Sequence, residues 1–238
     1  MGLFDLPGPL LSWLDGGLGQ VAPPTLRLIL WGLLGGAASM ALYWLLSPQG
    51  KIAAGKADAA AARRALDAYE GEFGDAWPLI RRVLGQALRQ LRLVLWPALV
   101  ASLPAICLIV WVSTAYGYSF PARGSDVEIR TTPDHLQATL ADASPRAIVV
   151  TDAAGEALGT IPWAAPVDTI HKRQWWNLLF GNPAGYLPAD AELERLELAL
   201  APNEYLPFGP AWLRAWYTVF FTALVVGSLA VKLIWRIE

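Results

Sequence analysis

The stretch that decides the fold runs from Ala76 to Tyr116: AWPLIRRVLGQALRQLRLVLWPALVASLPAICLIVWVSTAY. Its second half, Val94–Tyr116, carries no charged side chain. That is the ~20-residue length an α-helix needs to cross a ~30 Å hydrocarbon layer at ~1.5 Å per residue. Its first half repeats apolar residues at helical spacing (Leu79, Val83, Leu84, Ala87, Leu88, Leu91) and sets Arg81, Arg82, Arg89 and Arg92 on other faces. Nothing breaks the pattern between the halves. The sequence therefore predicts one helix of ~40 residues and ~60 Å, bent at Pro97 and Pro104, with about half its length outside the apolar layer.

Two further apolar stretches of span length flank it, Leu26–Leu46 and Trp216–Trp235. The charges between the spans predict their orientation. The segment between the first two has eight Lys/Arg against five Asp/Glu, whereas Gly117–Leu213 has six against twelve. Short basic loops stay in the cytoplasm. The expected layout is an outer interfacial segment (1–22), a first span (23–47), a cytoplasmic helical hairpin (48–93), a second span (94–116), an extracytoplasmic β-rich domain (117–213), and a third span with a short cytoplasmic tail (214–238). The expected location is an integral membrane position, as in a bacterial inner membrane, with the N-terminus outside and the C-terminus in the cytoplasm.

Composition agrees. Apolar residues make up 55% of the chain, and the mean hydropathy is +0.39. Several of the twelve Trp, including Trp31, Trp44, Trp96, Trp111, Trp212, Trp216 and Trp235, fall near the ends of the spans, where interfacial aromatic belts form. The net charge of −2 leaves no basic footprint for nucleic acid. A single cysteine, Cys107, excludes a disulfide within the chain. The first twenty residues carry only Asp5 and Asp15 as charges, unlike the basic start of a cleavable signal. Their leucines predict a short helix on the outer surface, interrupted by Pro7, Pro9, Gly16 and Gly17.

Lys51–Glu70 is Ala-rich and strongly helix-forming. It is expected to pack as an antiparallel, coiled-coil-like hairpin against the leucine face of the long helix, with Asp75 as its N-cap. Beyond Tyr116 the pattern becomes alternating: Val127–Thr131, Leu136–Leu140, Ala147–Thr151, Leu158–Ile161 and Leu196–Leu200. Short strands with turn signals predict a small antiparallel β-sandwich. His171–Phe180 reads as a short aromatic helix.

No catalytic, cofactor or metal-ligating pattern is visible. His135 and His171 stand far apart, and Asp190, Glu192, Glu194 and Glu197 lack the ligand offsets of a calcium loop and read as a solvated edge. No small-molecule substrate is evident. The expected partners are the lipid bilayer and other membrane proteins. Polar groups within the spans are few: Ser39, Ser102, Ser113, Thr114, Thr218, Thr222 and Ser228, with Arg27 at the outer end of the first. Ser39, Ser102, Thr222 and Ser228 fall at comparable depths and are the candidates for a polar groove, with Arg27 at its outer mouth or snorkelling to headgroups. Gly32 and Gly36 have the small-xxx-small spacing that lets a second helix approach closely.

Span, basic cytoplasmic hairpin, Pro-containing span, outer segment, span: carried by Leu26–Leu46, Lys51–Leu93, Trp96-Pro97…Pro104…Trp111 and Trp216–Trp235, this order resembles the YidC/Oxa/Alb insertase superfamily. The likeness is to its three-span branch, which includes archaeal YidC-like proteins and the insertase subunit of the ER membrane complex. The resemblance is one of topology and covers a little over half of the chain. It implies a non-enzymatic insertase or chaperone that carries a client's polar tail through a water-accessible groove, and a hairpin that recruits the client. The large outer domain and the outer position of Arg27 differ from that branch. They suit the alternative of a structural or assembly subunit that docks through its outer domain and spans.

Overall fold

The computed structural model describes residues 1–141 and 144–237; Glu238, the last residue of the expected tail, lies outside them. The helices are α1 (Gly8–Leu18), α2 (Pro24–Leu46), α3 (Gln49–Asp67), α4 (Trp77–Tyr116), α5 (Ala211–Arg214) and α6 (Trp216–Trp235). The strands are β1 (Ile129–Thr132), β2 (Gln137–Ala141), β3 (Ala147–Thr151), β4 (Ala157–Pro162), β5 (Thr169–His171) and β6 (Arg195–Leu198). Three helices, α2, α4 and α6, are long and apolar enough to cross a membrane.

Local chemistry sets the helix ends. Pro24 opens α2 at the position where a missing N–H costs nothing. Ser47-Pro48 closes it, because the residue before proline is pushed out of the helical region. α4 runs unbroken for 40 residues with Pro97 and Pro104 inside it. Each proline leaves a carbonyl four residues earlier, Leu93 and Val100, without its helical donor. Asp75 lies in a 3-10 turn, Phe73–Ala76, one step before α4, rather than at its N-cap.

The chain forms two compact units. The first comprises Met1–Trp31 and Ile106–Thr222, the second Gly32–Ala105 and Ala223–Glu238.

In the first unit, two antiparallel three-stranded sheets, β1-β6-β5 and β2-β3-β4, share one apolar core. Leu136, Ile148 and Val150 come from one side of it, Ile170, Leu196 and Leu198 from the other, and Trp163 is fully enclosed. The β3–β4 turn is fixed by Asp152, whose carboxylate accepts the N–H groups of Ala154 (2.9 Å) and Glu156 (2.8 Å). Gly155 supplies the φ of +85° that the turn requires. The chain start is tied to this unit. The Phe4 N–H donates to the Leu179 carbonyl at 3.0 Å, and the Asp5 carboxylate accepts from the Gly2 (2.6 Å) and Gly181 (2.8 Å) N–H groups. The expected helix over His171–Phe180 is corrected. His171 ends strand β5, and only Trp175–Leu178 winds, as a 3-10 turn. Pairing with Arg195 on β6 captures His171 into the sheet.

In the second unit, α3 packs on the N-terminal half of α4, with Ile52 and Ala62 buried. The packed face of α4 is not the leucine face. Leu84, Leu88 and Leu91 are more than half exposed, while Val83, Gln86 and Gln90 are half-buried. A Cβ on Gly55 of α3 would stand 2.8 Å from Gln90 Oε1.

Candidate functional site

In the first unit, polar side chains converge on Asp15. The turn after α1 brings this carboxylate back over the start of α2, where Arg27 Nη1 lies 2.5 Å from Asp15 Oδ2. Arg27 also donates to the Asp15 backbone carbonyl at 3.2 Å. The other carboxylate oxygen accepts from Trp31 Nε1 (2.9 Å) and from the Tyr116 hydroxyl (2.5 Å) at the end of α4. The guanidinium lies 5.6 Å from the centre of the Tyr116 ring, a cation–π arrangement. Gly19 lies close beside it: a Cβ there would stand 3.3 Å from Arg27 Nη1, a tight contact. Ser12 accepts the Trp111 indole N–H at 2.8 Å.

A strap of chain completes the node. The Thr25 hydroxyl donates to the Tyr205 carbonyl (2.8 Å), and the Tyr205 hydroxyl donates to the Tyr116 carbonyl (2.7 Å), the last of α4. Helix ends leave such carbonyls without internal partners. Burial pushes the Tyr205 phenol above its ordinary pKa. Nearby Tyr118, which donates to Asp168 at 3.0 Å, is shifted the same way by burial and by that carboxylate. The side chains of Arg27 and Asp15 are only 16% and 13% exposed, so Arg27 is an internally paired ion rather than one reaching for headgroups.

Sequence reasoning missed this node because its members are far apart along the chain. One signal was present: a lone acid and a lone base in adjacent apolar segments, separated by a Gly/Pro turn.

In the second unit, α2 and α6 meet backbone to backbone. A Cβ on Gly36 would collide with the Leu224 carbonyl and with Ser228, and one on Gly227 with the Leu33 carbonyl. Ser228 Oγ donates to the Leu224 carbonyl at 2.9 Å and lies 3.3 Å from the Gly36 carbonyl. Gly32 is buried as well. Trp44 and Trp235 pack edge to face at 5.1 Å.

Of the groove candidates, Ser39 and Ser102 are brought together. They line a shallow cleft of about 320 Å³ with Tyr43, Ala98, Ala101 and Leu224. Ala98, Ala101, Ser102 and Ala105 recur on one face of α4, and their small side chains leave the gap. Ser102 Oγ donates to its own helix at the Leu99 carbonyl, 2.7 Å away. Ser39 Oγ is buried and has no hydrogen-bond partner. Thr222 is exposed, Ser228 is spent on the α2–α6 contact, and Arg27 is spent on Asp15. Among the described residues no group of His, Cys, Asp and Glu is placed to hold a metal ion.

No protein-family model, curated protein or solved structure matches the chain. The functional reading therefore rests on the geometry.

Proposed function

We propose that this chain is a non-enzymatic integral membrane protein of the Oxa-type insertase or chaperone kind. In this reading α2, α4 and α6 span the bilayer, the α3–α4 hairpin is cytoplasmic, and the β-rich unit, a small sandwich, lies outside. The observation that carries the reading is the Ser39–Ser102 cleft: two serines from different helices line one gap, and the buried Ser39 oxygen has no hydrogen-bond partner among the described residues. An unsatisfied hydroxyl in an apolar surround costs about 1–3 kcal/mol, a cost that a client's polar tail offsets by supplying the missing hydrogen bond once the helices part and uncover the Ser39 oxygen. No covalent step is needed, because lowering the desolvation cost of the tail is the whole catalytic effect.

The test is insertion of a single-span client with a short polar tail into liposomes holding the purified protein. Changing both Ser39→Leu and Ser102→Leu fills the cleft with hydrocarbon and is expected to bring insertion down to the level of empty liposomes. Normal insertion by the folded double variant would end the insertase reading. A second reading, a structural or assembly subunit, is favoured by one observation: apart from those hydroxyls and Tyr43, the cleft residues are apolar. That reading predicts normal assembly of a larger complex in the double serine variant.

A further inference from the structure

One edge of the β2-β3-β4 sheet is left open among the described residues. In the order β2-β3-β4, strand β4 pairs, among the described residues, only with β3. The Trp163 N–H donates to the Arg146 carbonyl at 2.9 Å, which makes 163 and 146 a hydrogen-bonded pair. Counting back along the antiparallel register, Ile161 and Gly159 point their main-chain groups toward β3, Thr160 points its groups away, and Leu158 falls in the bulge. Proteins protect such edges with charge, proline, bulges or a covering segment. Ala157–Pro162 carries no charge, all of it but Ile161 is exposed, and its only shielding is a bulge opposite Val150/Thr151 and a terminal proline. Beside the edge a cavity of about 310 Å³ opens between Leu158–Ile161 and the loop Leu187–Leu193, with Leu136 and Val150 in its lining. It is placed to take an apolar side chain from an added strand.

Charge selects the occupant. Exposed Glu192 lines the cavity and pairs with His135 at 2.9 Å. Exposed Glu156 and Asp190 stand close by in sequence to β4 and to the loop. Gly117–Leu213 as a whole has twelve acidic against six basic residues, so a second copy would bring like charge to the same edge. We propose that β4 binds an extended segment of another polypeptide, alternating apolar and basic residues, as a fourth strand of this sheet. Main-chain hydrogen bonds supply the affinity, and the apolar cavity with its acidic rim supplies the selectivity. This inference is independent of the insertase reading.

The test uses the full chain in detergent micelles. The probe is a synthetic peptide of about eight residues alternating Val and Lys, with a Val/Glu peptide as its counterpart. The Val/Lys peptide is expected to slow amide exchange at Thr160 by at least about tenfold and to leave Gly159 and Ile161, already bonded to β3, unchanged. Added salt should weaken it. Thr160→Pro deletes an outward N–H without touching the β3 ladder and is expected to lower affinity by at least about tenfold, whereas Thr160→Val retains it. Slow exchange at Ile148 and Val150 reports that the proline variant is folded. If that variant does not fold, N-methylation of the peptide on the alternate amides facing β4 gives the same test from the other side. Exchange unchanged at Thr160, equal binding of the Val/Glu peptide, or self-association through β4 without peptide binding would each overturn the proposal.

Discussion

The two compact units of this protein are stabilised by opposite means. In the first, the helix ends are joined by a charged node: Asp15 holds Arg27, Trp31 and Tyr116 at once. In the second, α2 and α6 touch where Gly36 and Gly227 leave room for a facing carbonyl, and one hydroxyl bonds across the contact. The difference predicts opposite sensitivities. A polar node is broken by removing a group, because the partners left behind are buried and unsatisfied. A small-residue contact is broken by adding atoms, because a backbone carbonyl has nowhere to go.

The largest effect should come from Asp15→Ala, which leaves Arg27 without its counter-charge and strips two hydrogen bonds. A cost of about 3–5 kcal/mol is expected, read as a lower midpoint of thermal unfolding in micelles. Asp15→Asn keeps an acceptor for Trp31 and Tyr116 and should cost less. If the two variants unfold alike, the charge rather than the hydrogen bonds holds the node. If Asp15→Ala matches the parent, the node contributes nothing.

Gly36→Leu should come next, at about 1–3 kcal/mol of overpacking or more, with Gly36→Ala intermediate. Melting unchanged by leucine would mean that α2 and α6 are not in backbone contact.

A smaller effect sharpens the account of the hairpin. Leu84→Asp and Leu88→Asp alter exposed positions and should each stay within about 0.5 kcal/mol, with protease cleavage around Arg81–Arg92 no faster than in the parent. Rapid cleavage would show that the leucines are packed after all.

The smallest effect is a pH slope. Tyr118 and Tyr205 have phenol pKa values raised by folding above the ordinary 10.0. Their contribution is complete below pH ~10, where both states are protonated, and declines above it as the unfolded chain releases protons first. Stability should therefore fall above pH 10 and fall less steeply in Tyr205→Phe. An unchanged slope in that variant would remove Tyr205 from the account.

Much of this architecture was legible in the sequence, and the misses share a cause. The spans were readable because hydrocarbon thickness imposes a length. β3 was readable because Ala147–Thr151 is a β-branched run between turn residues. The unbroken α4 was readable because prolines within an apolar helix bend a pattern without ending it. The Asp15 node was not, because α1 and α2 must fold back before Asp15 and Arg27 become neighbours. β5 was missed because three residues carry too short a period and Trp175-Trp176 drew the reading toward a helix. On α4 the leucines resembled a core, yet Val83, Gln86 and Gln90 are half-buried instead, with Gln90 against Gly55 of α3. Of the groove candidates, Ser39 and Ser102 share a cleft. The sequence could not assign Ser228 and Arg27, because the Gly36 carbonyl that Ser228 faces beside its own Leu224, and the Asp15 that holds Arg27, become neighbours only on folding.

The account rests most heavily on the chain crossing a bilayer with its hairpin and its β-rich unit on opposite sides. The direct measurement is labelling of intact cells with a membrane-impermeant maleimide, in a Cys107→Ala background carrying either Gly74→Cys or Ala153→Cys. Both positions are exposed. The account predicts that Ala153→Cys is labelled in intact cells and Gly74→Cys only after lysis. Labelling of Gly74→Cys in intact cells, or of both sites alike, would contradict it.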